Sequence, residues 1–168
     1  VLRGVGWSRE KVQKTMNRSR EPVNFRINDQ ILNANVDLEL VTTRCANVIG
    51  EIKSGNRKYR SEYVVLGAHF DHVGEGGVGS GSRSPDRLQV HPGADDNASG
   101  ASGLLEIAQK LAANKSRLKR SILLIGFDAE EKGLLGSKYF MSNPAVDPDK
   151  IITMINMDMI GRMKDSSA

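Results

Sequence analysis

The chain has 168 residues, enough for one globular domain, and its 39% hydrophobic content can fill a core of that size. A formal charge of +4 spread thinly along the sequence, with only 5% aromatic residues, offers neither the basic stripe nor the stacking platforms of a nucleic-acid binder. The single cysteine, Cys45, excludes an internal disulfide framework and a cysteine-rich metal site, so any metal here must rest on His, Asp and Glu.

No apolar run approaches the length that crosses a bilayer, and Val1 opens without the charged-then-apolar pattern of a signal peptide. Because Val1 is not a methionine, the chain is expected to be processed or cut from something longer. Trp7, Val12 and Met16 predict a short amphipathic helix over Arg9 to Met16, stopped before Pro22. Val36 to Val41 alternates apolar with acidic residues and Asn47 to Ile52 is a second β-prone run. Together they predict a meander at a sheet edge, followed by a basic turn over Lys53 to Arg60.

Glu62 to Ala68, EYVVLGA, is a continuous apolar run of the kind buried on both faces of a sheet. It empties into His69, Phe70, Asp71 and His72. In an extended chain His69 and Asp71 share a face, so the carboxylate can hold one imidazole nitrogen and leave the other for a metal. The glycine loop that follows matches G-x-G-x-x-G over Gly74 to Gly79, the fingerprint of an NAD-binding oxidoreductase. That fingerprint works only where a helix begins inside the glycines, and Ser80 to His91 has Pro85 and no helical period.

Helical spacing of Leu104, Leu105, Ala108, Leu111 and Ala112 predicts a helix from about Ala98 to Ala113, entered through Gly93-Ala94-Asp95-Asp96-Asn97-Ala98-Ser99-Gly100. Either aspartate can cap that helix or offer its oxygens to a ligand. Ser121 to Phe127 is a second buried-strand run that breaks into Asp128, Ala129, Glu130 and Glu131. Adjacent carboxylates at the mouth of a core strand repel one another unless a cation or a proton-transfer task occupies them. A short helix over Gly133 to Met141 and a β-prone run over Lys150 to Asp158 complete the series.

Strands alternating with helices imply parallel pairing, and the carboxyl ends of parallel strands form the ligand-binding rim. His69, Asp71, Glu130, Glu131 and Asp158 then converge there. One histidine with several carboxylates suits a hard or borderline divalent ion, and more carboxylates than one ion needs suggests two ions sharing a bridging aspartate.

The ordered set GAHFDH, GADDNASG, AEEKGLLGS and NMDMIGR resembles the zinc aminopeptidases of the M28 peptidase family over about Asn47 to Arg162. The resemblance implies an α/β zinc-exopeptidase fold in three layers, with a mixed sheet, parallel at its centre and antiparallel near the N-terminus. It implies that His69 and Asp158 hold one zinc, Glu131 the other, and Asp96 both. Asp71 would orient His69, and Glu130 would be the general base. His72 and His91 match no ligand position of the pattern and are assigned to the rim. The family's second zinc also takes a histidine from a later loop, and no histidine follows His91. An incomplete second site and very low activity of this chain are therefore expected. Residues 1–35 are read as the tail of an inserted protease-associated domain, and 36–168 as a catalytic domain cut short. The expected substrates are peptide or protein N-termini, and the family's usual location is secreted or periplasmic. A non-catalytic receptor-like relative and a one-zinc cyclase are the alternatives within the fold.

Overall fold

A computed structural model of the chain describes residues 6–24, 35–39, 42–77, 79–84 and 86–162. Two units each pack within themselves, Val1–Thr42 and Thr43–Ala168. In the first, helix α1 spans Arg9–Ser19. The Ser8 hydroxyl accepts the Lys11 N–H at 3.1 Å and opens it. Arg20, in the left-handed region at φ 59°, closes it two residues before Pro22.

The second unit carries a four-stranded sheet in the order β1-β3-β2-β4. Strand β1 is Val48–Ile52, β2 is Tyr63–His69, β3 is Ser121–Phe127 and β4 is Ile151–Asn156. β3 and β4 both pair parallel to β2, while β1 lies antiparallel along β3. The mixed sheet with a parallel centre thus matches expectation, but its antiparallel part differs. Residues 36–39 form no strand and expose Val36 and Leu38, while 40 and 41 lie outside the described residues. β1 finds its backbone partner in the longer, buried β3 instead of in a neighbouring hairpin.

Helix α2, Gly100–Ala113, lies in the β2–β3 connection, and α3, Leu135–Ser142, in the β3–β4 connection. The period-two alternation of β2 and β3 decides which side chains meet each helix. Val65, Leu123, Ile125 and Phe127 cluster with Phe140 of α3. Leu66, Ala68 and Ile122 cluster with Leu104 of α2 and with Met157. The helices therefore cover opposite faces, which gives three layers. It also explains why both strands are apolar throughout, since neither has a solvent face. Ile125 is fully buried, a burial that stabilises the fold by about 2–3 kcal/mol.

Because α2 and α3 lie on opposite faces, the chain leaves the carboxyl ends of β2 and β3 in opposite directions. A crevice opens between those ends, the place where open α/β sheets bind ligands. No helix begins in the Gly74 loop among the described residues, and the first helix after β2 is α2 beyond the wide turn Ala94–Ser99. Among the described residues of that loop, the helix N-terminus that a bound pyrophosphate requires is absent.

Candidate metal centre

His69, Glu130 and Glu131 reach the crevice from strand ends and are each held there by a hydrogen bond to Asp71. His69, the last residue of β2, is 4% exposed, and its Nδ1 lies 3.1 Å from the Asp71 carbonyl oxygen. A carbonyl can only accept, so Nδ1 carries a proton, and Nε2 is the nitrogen that the neutral ring can offer to a metal in the crevice. Asp71 was expected to orient His69 through its carboxylate, which stands 3.6 Å from Nδ1. The closer partner is its backbone carbonyl. The carboxylate itself accepts the N–H groups of Glu130 at 2.9 Å and Glu131 at 3.1 Å, so it seats the acidic pair.

Ala129 makes that seating possible. Its φ of 54° turns the chain sharply after β3, and its carbonyl and that of Asp128 accept the N–H groups of Leu135 and Gly136. Asp128 belongs to this latch, since its carboxylate accepts the Ala46 N–H at 3.0 Å and the Ala129 N–H at 2.8 Å. It fastens the entry of β1 to the exit of β3. Gly136 is required there, because a Cβ would stand 2.3 Å from the Asp128 carbonyl oxygen.

Two groups of donors result, and Asp96 belongs to both: His69 with Asp96 and Asp158, and His72 with Asp96 and Glu131. In the first, His69 Nε2 lies 3.3 Å from Asp96 Oδ1 and 3.5 Å from Asp158 Oδ1. Donors about 2.1 Å from a tetrahedral zinc stand about 3.4 Å apart, so these separations fit such an ion. In the second, His72 Nδ1 lies 2.8 Å from Glu131 Oε1 and 3.9 Å from Asp96 Oδ1. Sequence reasoning leaves this second group with two donors and sends His72 to the rim. The turn after β2 instead carries His72 back against Glu131, a reversal that the spacing of His69 and His72 alone does not reveal. His91 stands edge-on to His72, with ring centroids 6.2 Å apart.

Asn97 was visible in the sequence only as part of a turn. It is 2% exposed and makes four hydrogen bonds. Its Nδ2 donates to the carbonyls of His69 and Met157, and its Oδ1 accepts the N–H groups of Gly100 and Met159. The amide ties the ends of β2 and β4 to the start of α2 and so sets the spacing of His69, Asp96 and Asp158. Gly100 must be glycine, since a Cβ would stand 2.4 Å from both Asn97 Oδ1 and the Met157 carbonyl.

Glu130 belongs to neither donor group. It lines a cleft of about 290 Å³ with His69, Phe127, Leu134, Met154 and Asp158. Burial raises its pKa, the nearby His69 opposes the rise, and the charges of Glu131, Asp158 and Asp71 add to it, leaving a net upward shift. For His69, burial pulls downward, but the Asp71 carbonyl and the charges of Glu130, Asp158 and Asp71 outweigh it, so the net shift is upward.

The model of peptidase family M28 matches residues 47–167. The chain belongs to this family. It is 35% identical over 127 residues to an aminopeptidase of Pseudomonas aeruginosa, covering 75% of this chain and 20% of that protein. It is 34% identical over 117 residues to leucine aminopeptidase 2 of Trichophyton rubrum, covering 68% and 19%. The chain thus spans about a fifth of the length of these M28 relatives. Among solved structures, a zinc aminopeptidase from Bacillus subtilis aligns with a TM-score of 0.51 at 32% identity, over 68% of this chain and 24% of that one. A glutaminyl cyclase from Porphyromonas gingivalis aligns at 0.54 and 31%, over 68% and 40%.

Proposed function

We propose that the protein is an aminopeptidase that hydrolyses N-terminal peptide bonds with two zinc ions. The observation that carries this reading is the pair of donor groups sharing Asp96, with Glu130 beside them and in neither. His69, Asp96 and Asp158 would hold one ion, and Asp96 and Glu131 would contribute to the second. Bound zinc acidifies water, polarises a scissile carbonyl and attracts a free amino group. Glu130, whose pKa burial raises, would take the proton from the attacking water at its ionised carboxylate and hand it to the departing amine. Phe127, Leu134 and Met154 give the adjoining cleft apolar walls that suit an aliphatic side chain at the substrate's N-terminus. The names of the relatives, aminopeptidase and leucine aminopeptidase, agree with this substrate class.

The reading extends to an extracytoplasmic location, supported by a probable lipoprotein aminopeptidase of Mycobacterium tuberculosis that is 31% identical over 118 residues. No helix among the described residues is long and apolar enough to cross a membrane. It also keeps residues 1–35 as the tail of an inserted protease-associated domain and 36–168 as catalytic domain.

The test is zinc titration of the protein with leucyl-anilide and its N-acetylated counterpart as substrates. Hydrolysis confined to the free-amine substrate, with Asp96→Ala losing both ions together, is the expected result. Equal hydrolysis of the two substrates overturns the aminopeptidase reading. Retention of one ion at full affinity in Asp96→Ala argues for separate sites, and a single ion in the unaltered protein supports the cyclase alternative.

A further inference from the structure

Resting on the two-ion reading, we propose that His72 is the third protein ligand of the second ion, through Nδ1, beside Asp96 and Glu131. His72 Nδ1 and Glu131 Oε1 are both shut off from solvent and lie 2.8 Å apart, yet neither atom has a hydrogen-bond partner. Polar atoms buried so close together without a well-directed hydrogen bond are costly, and a proton or a metal cation between them relieves that cost. The asymmetry with His69 sharpens the point, because His69 has its Nδ1 satisfied by a carbonyl and offers Nε2, whereas His72 offers Nδ1 itself.

The ring of His72 occupies a fitted place. It lies so close over Gly93 that a Cβ there would stand 2.9 Å from its Cγ and Cδ2, and His91 meets it edge-on from another side. Asp96 Oδ1 faces both imidazoles, 3.3 Å from His69 Nε2 and 3.9 Å from His72 Nδ1, so one carboxylate spans the two groups. The four residues His69 to His72 then organise both ions. Each histidine serves one ion, while Asp71 holds His69 by its carbonyl and Glu131 by its carboxylate. The pattern implied by the resemblance draws its second histidine from a later loop. Here the donor is local to β2.

The experiment uses the 168-residue chain labelled with ¹⁵N at histidine, titrated with zinc alone. Calorimetry and metal analysis after dialysis give stoichiometry and affinities, and the imidazole nitrogen resonances report direct ligation. The expected result is two ions, with the His72 Nδ1 resonance moving as the second binds. His72→Gln should keep the first ion at unaltered affinity and weaken the second by about a hundredfold or more, since losing even an outer partner of a ligand costs ten- to a hundredfold. Two ions bound with unchanged affinities by His72→Gln, or an unmoved His72 nitrogen in the unaltered chain, overturns the inference and leaves the two-ion reading standing. Uptake of one ion or none by the unaltered chain overturns both. The nitrogen measurement decides even if His72→Gln does not fold.

Discussion

Glu130 and Glu131 are neighbours in sequence with different tasks in space. Glu131 turns toward His72 and Asp96, while Glu130 faces the cleft between His69 and Leu134. The split arises because Asp71 fixes two successive N–H groups, leaving the two side chains to diverge from a seated backbone. Replacing Glu130 by Gln preserves shape and removes the base. Turnover of the zinc-loaded enzyme should then fall by about a hundredfold or more, with zinc stoichiometry unchanged. Steady-state kinetics beside metal analysis check both halves, and unaltered turnover removes Glu130 from the mechanism. Asn97 carries a different burden, because truncation to Ala strands two carbonyls and two N–H groups in a buried place. The expected loss is about 3 kcal/mol or more in urea unfolding. A loss below about 1 kcal/mol would show that water replaces the amide.

Between elements, the wide turn before α2 is joined to the segment after β4. Asp95 accepts the Gly161 N–H and the Arg162 Nε–H, each at 2.8 Å, and the Ser99 hydroxyl donates to its carbonyl at 2.6 Å. Chiefly through the Arg162 hydrogen bond, opposed by desolvation and aided by Gly161 and Ser99, its pKa is lowered from 3.8. A carboxylate whose folded pKa is depressed stabilises the fold fully above its unfolded value, and that contribution is lost as pH falls through the lower folded value. In chelator-treated protein, Asp95→Asn should be less stable than the unaltered chain at neutral pH. The two unfolding curves should draw together in acid, below the ordinary carboxylate range. A gap that stays constant with pH would assign the effect to packing instead of charge.

At the scale of the molecule, three parallel strands deliver His69, the Glu130–Glu131 pair and Asp158 to one edge of the sheet, and the turn before α2 adds Asp96. Such convergence concentrates negative charge, which opposes folding until a cation is bound. Zinc at about a hundred times its dissociation constant should therefore stabilise the fold by about 2.7 kcal/mol per site. The melting temperature should rise by about 10 °C from one such site. A chelator should reverse the shift, and Asp96→Ala should abolish most of it. A melting temperature indifferent to zinc would mean that the donors do not act together.

The sequence by itself determined the layer architecture, because two continuous apolar runs, Glu62 to Ala68 and Ser121 to Phe127, have no solvent face and require helices on both sides of the sheet. It also determined that carboxylates and a histidine stand at strand ends, since parallel pairing places those ends on one rim. The fate of the 36–41 run was not legible, because β propensity does not say which strand supplies the partner. Only the tertiary structure decided that His72 faces Glu131, that the Asp71 carboxylate grips backbone N–H groups, and that Asn97 joins two strand ends to α2. These relations depend on left-handed turns, on close approaches at Gly93 and Gly100, and on pairings between segments far apart in the chain. No local period in the sequence records such contacts, because they exist only once the sheet has brought the segments together.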